Sequence, residues 1–192
     1  MYPGALNLNG YAMLCVLLRN VAIMFAFFKK QSHGVLYWWL LILCGIGFEA
    51  VALFYQYVLE YGPCPLCIHT RILVIAFVLI AILALLLRSG WASRVFHLLT
   101  VATMLGLSER AYVLLGTERG FVLTECGVDS GLPAWFALDQ WFPFMFEVKE
   151  SCGYTPQMLF GISMAEALIV VFPLMLLLSL LMLIASMGRA TD

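Results

Sequence analysis

Two cysteines separated by two residues lie between two long apolar segments, in the sequence Tyr-Gly-Pro-Cys-Pro-Leu-Cys-Ile-His-Thr-Arg at positions 61–71. The glycine and the two prolines around Cys64 prevent a helix from continuing through this stretch. We therefore expect Cys67 in the first turn of the next helix, where a thiolate faces unpaired backbone N–H groups and the positive end of the helix dipole. Arg71 follows one turn later on the same helical face. Both features stabilise the thiolate, which is the reactive form of cysteine. The motif predicts a redox-active dithiol; a turn with two buried structural cysteines is the alternative.

The composition indicates which elements position this motif. Of the 192 residues, 64% are hydrophobic and only 11% are charged, with a mean hydropathy of +1.02, whereas soluble domains carry about 25% charged residues. The apolar runs are continuous and rich in leucine, which favours membrane-spanning helices over the alternating strands of a β-barrel. The net charge of −1 and the absence of a basic cluster give no indication of a nucleic-acid partner.

Residues 1–34 are expected to form an interfacial or poorly ordered N-terminal extension. The apolar stretch over 11–28 is short and carries Arg19 near its middle, where an arginine costs about 2.5–3.5 kcal/mol in a membrane. An extra span is the alternative. A removable signal peptide is disfavoured because no small-residue cleavage pattern ends the stretch.

Four later segments are long and apolar enough to cross a bilayer. We predict an all-α membrane protein, a four-transmembrane-helix bundle. Its spans lie at about 35–58, 66–87, 95–115 and 162–187. The first span contains Glu49, and a carboxyl group inside a membrane is by default a functional candidate. A hydrogen-bonded structural glutamate is the alternative reading of Glu49.

The positive charges set the expected orientation. Arginine and lysine residues gather on one side of the four spans, which is then the cytoplasmic side; they are Lys29, Lys30, Arg88, Arg94 and Arg189. The tail 188–192 is on that side, and the loops 59–65 and 116–161 are on the other. One cysteine pair lies where loop 59–65 meets the second span and the other lies in the long loop, so both pairs are expected outside the cytoplasm.

The long loop 116–161 carries Cys126 and Cys152. Between them, the stretch 132–143 is too aromatic for a solvated loop and too interrupted to span the membrane. We predict a short helix lying in the membrane surface, with Trp135 and Trp141 as lipid anchors.

Four extracytoplasmic cysteines lie in a compartment where disulfides persist. One pair is fixed at a helix start and the other is on a loop, which favours a relay by thiol–disulfide exchange. A four-cysteine zinc site is the metal alternative, but the loop pair is too widely spaced for a zinc knuckle. We therefore expect no metal.

With these residues in place, the chain resembles the DsbB family of quinone-dependent disulfide-forming membrane proteins over about residues 35–187. The resemblance rests on Glu49 and Gln56, the Cys64–Cys67 motif, Arg71, the pair Cys126 and Cys152, and Leu-Asp-Gln-Trp-Phe-Pro at 138–143. Residues 1–34 have no counterpart in the pattern. Thr70 stands where some members carry an acid, and the segment between Arg110 and Cys126 lacks a histidine that some members have there.

The resemblance implies an enzyme of the bacterial inner membrane that reoxidises a DsbA-like periplasmic thiol oxidase and reduces ubiquinone or menaquinone from the membrane quinone pool. It implies that Cys126 and Cys152 form the outer disulfide, that Cys126 forms the mixed disulfide with the partner, and that the released Cys152 exchanges with Cys64. Cys67 is then freed beside the quinone. Arg71 is expected to hold a quinone oxygen, and Glu49 is a weaker candidate for proton handling. A relative serving a dedicated client, or a non-enzymatic assembly partner with a structural loop disulfide, remains the alternative.

Overall fold

The computed structural model of the chain describes residues 34–192, with gaps at positions 88, 123–126, 128, 154, 159–160 and 188–192; before residue 34 it describes Arg19 alone. Arg19 and Gly34 aside, the expectations for the extension 1–34 therefore lie outside the described residues, as does the tail 188–192.

The described part of the chain is helical and contains no strand. Its helices are α1 (Val35–Tyr57), α2 (Pro65–Leu86), α3 (Gly90–Arg119), the short α4 (Leu138–Trp141) and α5 (Pro143–Phe146), and α6 (Met164–Met187). Within the described residues, the four long helices are long and apolar enough to cross a membrane. The predicted all-α fold with four membrane-spanning helices is confirmed.

The four long helices form a bundle in which α3 packs most extensively against α6, then against α2, while α1 packs against α2. Phe77, Met104 and Phe172 are buried between them. At Gly45 a Cβ atom would collide with the side chain of Val78, so the absence of a side chain permits the close approach of α1 and α2. Many leucines on the outer faces are exposed in the isolated chain, as lipid-facing positions of a membrane bundle must be.

Helix α3 is longer than the predicted span 95–115, because its capping residues lie beyond the apolar run. The Ser89 hydroxyl oxygen accepts a hydrogen bond from the backbone N–H of Ala92 at 3.3 Å, and Gly120 ends the helix in the left-handed conformation at φ 75°. Thirty residues of helix span about 45 Å, against a hydrocarbon layer of about 30 Å. The last turns of α3 are therefore free to carry polar residues into the long loop.

The aromatic stretch of that loop folds into a 3₁₀ turn at Ala134–Phe136 followed by α4 and α5. The indole side chains stay on the outside: Trp135 is 78% exposed and Trp141 57%. The placement of this helical stretch in the membrane surface stays a prediction.

Candidate active site

The two cysteines of the motif meet at the start of α2. Cys64 is the N-cap residue, in an extended conformation, and Pro65 is the first residue of the helix, where its missing N–H costs nothing. The Cys64 Sγ atom accepts a hydrogen bond from the backbone N–H of Cys67 at 3.3 Å. Both thiols are free, and their sulfur atoms lie 2.6 Å apart, against about 2.05 Å in a disulfide. Only a small movement separates this dithiol from a disulfide.

The two sulfur atoms have different surroundings. Cys64 is buried, 2% exposed, whereas Cys67 is half-buried. The hydrogen bond between the two thiols and the burial of Cys64 raise the pKa of Cys64. The surroundings of Cys64 therefore favour its protonated thiol form.

Arg71 is buried one turn along α2 from Cys67, at 6% exposure. Its Nη1 atom donates to Gln56 Oε1 at 2.5 Å and to the Met145 carbonyl oxygen at 2.7 Å, and its Nη2 atom donates to the Ala52 carbonyl oxygen at 3.2 Å. Among the described residues no carboxylate oxygen lies within 4.0 Å of this guanidinium. Within the described part of the chain, three of its five N–H donors are used, which leaves two for another acceptor.

Cys67 and Arg71 line one cavity of about 250 Å³. The cavity lies between α1, α2 and α6, and its remaining wall is largely apolar, including Phe48, Val74, Leu168 and Phe172. Glu49 also lines it, and in the described part of the chain the buried Oε2 atom of Glu49 has no hydrogen-bond partner. The structure therefore brings three of the predicted site residues, Glu49, Cys67 and Arg71, to one apolar space.

Cys152, from the long loop, packs beside the Cys64–Cys67 motif. It is disulfide-bonded, and it packs with Cys67 against a small buried cluster that contains Cys64, Leu114 and Ala165. The pairing of Cys152 with Cys126 stays a prediction, because Cys126 lies outside the described residues. The structure thus brings three of the four predicted cysteines into one neighbourhood at the start of α2.

The long loop is attached to the motif by backbone atoms. Gln56 Nε2 donates to the Phe144 carbonyl oxygen at 3.2 Å, the Tyr57 hydroxyl donates to the same oxygen, and Arg71 holds the next carbonyl oxygen, that of Met145. Nearer to Cys152, the backbone N–H of Lys149 donates to the Pro63 carbonyl oxygen at 3.0 Å.

Gly62 allows the loop to approach the motif closely. A Cβ atom at Gly62 would lie 2.8 Å from Glu150 Cγ and 2.9 Å from Lys149 Cβ. These contacts fix residues 144–150 over the start of α2.

Sequence reasoning did not find these contacts. The sequence analysis names Gln56 only as part of the family resemblance and does not predict its hydrogen bond with Arg71. Two of the acceptors for Arg71 are backbone carbonyls, which every residue type carries, so no residue type in the loop signals them. Among the described residues, no group of three or more His, Cys, Asp or Glu side chains is arranged to hold a metal ion.

The fold and the site define a class: a multi-pass membrane protein with a dithiol at a helix start and a third, disulfide-bonded cysteine packed beside the dithiol. Comparison with known proteins agrees, since the family model for disulfide bond formation protein DsbB matches residues 34–182. The chain belongs to this family.

Two curated relatives are similar over most of their length. Disulfide bond formation protein B of Haemophilus influenzae is 32% identical over 169 residues, which cover 84% of this chain and 93% of the relative. Disulfide bond formation protein B of Pasteurella multocida is 30% identical over 173 residues, covering 86% and 94%. The chain is therefore a membrane disulfide bond formation protein, a disulfide-forming oxidoreductase.

Proposed function

We propose that this protein reoxidises a DsbA-like periplasmic dithiol oxidase and passes the electrons to a membrane quinone, either ubiquinone or menaquinone. One observation carries the proposal: Cys67 faces an apolar cavity together with Arg71, while Cys152 packs against the cluster that contains Cys64. The dithiol is thus placed between an apolar ligand space and the disulfide of the long loop.

The cavity residues fit a quinone ring. Such a ring is apolar except for two carbonyl oxygens, and the cavity is apolar except for a few polar groups. Arg71 has two N–H donors left, and the buried Glu49 Oε2 atom has no hydrogen-bond partner among the described residues. Pockets for drug-sized ligands measure about 300–1,000 Å³, so a cavity of about 250 Å³ suits a single substituted ring rather than a whole isoprenoid lipid.

The relay begins with the partner. A partner thiolate attacks Cys126 of the Cys126–Cys152 disulfide and releases Cys152 as a thiolate. Cys152 then attacks Cys64 of an oxidised Cys64–Cys67 pair and releases the Cys67 thiolate. The second partner thiolate breaks the mixed disulfide and leaves as part of the partner's new disulfide. The freed Cys126 takes back Cys152 and releases Cys64. One partner dithiol is oxidised, and the Cys64–Cys67 disulfide becomes a dithiol.

The second half reaction reoxidises the motif. A bound quinone accepts two electrons and two protons as the Cys64–Cys67 dithiol becomes a disulfide. Arg71 donates hydrogen bonds to the ring oxygen and stabilises the negative charge that develops there. The fixed positive charge of Arg71 also supports the Cys67 thiolate one turn away. Glu49 is placed to deliver a proton within the same cavity.

The relay also requires a particular membrane and orientation for the protein. The protein resides in the bacterial inner membrane, with both cysteine pairs on the periplasmic side and the basic residues around 88–94 in the cytoplasm. The excess of lysine and arginine in the short loop and flanking segments supports this orientation. The exposed rings of Trp135, Trp141 and Phe144 support contact of the loop with membrane lipid.

The test uses purified protein, a soluble short-chain quinone and a reduced DsbA-like partner. We expect quinone absorbance to fall with the partner's oxidation, one quinone per partner disulfide. The Cys67→Ser variant should abolish quinone reduction, and the matched Cys44→Ser variant should not, because Cys44 is an exposed thiol on α1 away from the cavity. Partner oxidation without quinone reduction would contradict the proposal. A Cys64–Cys67 pair whose redox state ignores quinone depletion in membranes would instead favour a structural role.

A further inference from the structure

Two short stretches of chain, residues 155–158 and 161–164, pair with each other and form one wall of the cavity; we call them the hairpin segment. The backbone N–H of Met158 donates to the Ile162 carbonyl oxygen at 2.7 Å, and the N–H of Met164 donates to the Pro156 carbonyl oxygen at 3.0 Å. Gln157 and Ser163 form an antiparallel bridge between these bonds. In extended backbone, successive side chains point to opposite faces. The hairpin segment therefore has two distinct faces.

The two faces line two different cavities. The side chains that line the apolar cavity of Cys67 and Arg71 are those of Pro156, Met158 and Met164. The side chains that line a second, polar cavity of about 380 Å³ are those of Thr155, Gln157 and Ser163. The hairpin segment thus separates the two cavities: its apolar face lines the proposed quinone site and its polar face lines the second cavity.

One carboxylate fastens the hairpin segment to the bundle. The Oε2 atom of Glu118, in the last turn of α3, accepts a hydrogen bond from the Thr155 hydroxyl and another from the Ser163 hydroxyl, the latter at 3.0 Å. Thr155 and Ser163 are buried, at 8% and 7% exposure, and lie on the two opposite stretches of the hairpin segment. A single oxygen atom therefore fixes both stretches to α3.

The neighbouring carboxylate has a different task. Glu166 accepts a hydrogen bond from the backbone N–H of Ser163 at 3.0 Å, while the Ser163 hydroxyl oxygen accepts from the N–H of Glu166 at 3.2 Å. This reciprocal pair is a capping box at the start of α6, and Glu166 also pairs with Arg119. Glu166 thus stabilises a helix end, whereas Glu118 has no other hydrogen-bond donors than the hairpin segment among the described residues.

We propose that Glu118 is a positioning residue for the quinone half reaction. By holding the hairpin segment, it keeps Met158 and Met164 against the quinone ring. The statement about quinone rests on the proposed function; the statement about the hairpin segment does not. The acid acts through the hairpin segment, since the reacting groups Cys67 and Arg71 are on α2.

The first experiment compares Glu118→Ala, Glu118→Gln and the matched control Glu109→Gln. Glu109 is an exposed carboxylate on the same helix, and its one ion pair within the described part of the chain is with its neighbour Arg110. Because the two Glu118 hydrogen bonds hold the cavity wall, Glu118→Ala should raise the KM for a short-chain quinone about tenfold, which is about 1.4 kcal/mol and within what one hydrogen bond to a charged group contributes to stability. The kcat at saturating quinone should stay within about threefold, because α2 is unchanged. Glu118→Gln keeps an oxygen acceptor and should restore most of the affinity.

The second experiment needs no quinone. Amide hydrogen exchange at Met158 and Met164 reports whether the hairpin segment opens, since both N–H groups are bonded across it. Glu118→Ala and Thr155→Val should each accelerate exchange there, and the double variant should add little, because the two substitutions break the same bond. In Glu109→Gln both amides should exchange as in the wild type.

The outcomes separate the two proposals. A wild-type protein that reduces no quinone contradicts the proposed function, and the exchange experiment still decides the role of Glu118. Unchanged amide exchange in Glu118→Ala overturns the positioning role. So does a wild-type KM in Glu118→Ala, or a loss confined to kcat, or an effect that Glu109→Gln reproduces.

Discussion

Replacement of Arg71 by leucine removes the buried guanidinium from the proposed quinone site and leaves a shorter, uncharged apolar side chain. In the wild type the guanidinium makes three hydrogen bonds and has two donors left for a ring oxygen. Removing one preorganised donor that stabilises a developing negative charge typically lowers kcat by about 10²–10³-fold. We expect Arg71→Leu to slow quinone reduction by at least about 100-fold.

Arg71→Lys separates charge from geometry. A lysine keeps the positive charge near Cys67 but loses the planar fork that reaches Gln56 and two backbone carbonyls together. We therefore expect an intermediate loss of quinone reduction, smaller than in Arg71→Leu. The matched control is Arg110→Leu, which removes a half-buried arginine that forms an ion pair with Glu109 and does not line the cavity. This control should reduce quinone at the wild-type rate.

The exchange step should behave differently from quinone reduction. It is measured by mixing the protein with reduced partner in the absence of quinone and trapping thiols over time. Arg71 does touch the loop, through the Met145 carbonyl oxygen, but Gln56 and Tyr57 hold the adjacent carbonyl and Lys149 is bonded to Pro63. We therefore expect partner exchange to remain nearly unchanged in Arg71→Leu.

A stability measurement tests whether Arg71→Leu loses activity only because it fails to fold. Arg71→Leu leaves the acceptors on Gln56, Ala52 and Met145 without their donor, at a cost of about 1–3 kcal/mol for each buried group left unsatisfied. Relief of the buried charge offsets part of this cost. Thermal unfolding in detergent should therefore show a lowered but cooperative transition. Normal quinone reduction by folded Arg71→Leu at limiting quinone would refute the reasoning and leave Arg71 as an interfacial anchor.

Three further predictions concern topology, the relay and the proton. Cysteine at Gly127 should react with an impermeant thiol reagent from the periplasmic side and cysteine at Ser89 should not; the reverse pattern would overturn the orientation. Cys152→Ser should accumulate a mixed disulfide between Cys126 and the partner, because the thiol that leads on to Cys64 is missing, and non-reducing electrophoresis that finds no adduct would speak against this order of attack. Glu49→Gln should slow quinone reduction and leave partner exchange intact, and stopped-flow traces with equal quinone rates would remove Glu49 from proton handling.

The four spans were predictable because long apolar runs leave few choices. The start of α2 was equally predictable, because the prolines on both sides of Cys64 leave only one place for the helix to begin. The length of α3 was not predicted, because Glu118 and Arg119 ended the apolar run although the helix continues to Gly120. A helix that leaves the bilayer no longer needs apolar residues, so hydropathy does not mark its end.

The hairpin segment shows a different reason for a missed feature. Its alternation of Thr155, Pro156, Gln157 and Met158 is too short to distinguish from an irregular loop. Ser163 and Glu166 have the sequence spacing of a capping box, and this capping box marks the start of α6 in the structure. The bond from Ser163 to Glu118 was not predictable, because it joins residues 45 positions apart and follows only from the packing of α3 against α6.

In the proposed relay, the position of the motif at a helix start would let two neighbouring cysteines serve two different redox partners. Cys64 caps the helix and belongs to the buried cluster that Cys152 packs against. Cys67 is inside the first turn, and it lines the apolar cavity, which Cys64 does not. The same turn that holds the sulfurs 2.6 Å apart therefore presents one to the loop disulfide and the other to the ligand space. Moving the motif along the chain by one residue would turn Cys67 about 100° around the helix and away from Arg71. Electrons would then still reach the dithiol from the loop, but the dithiol would have no route to the cavity.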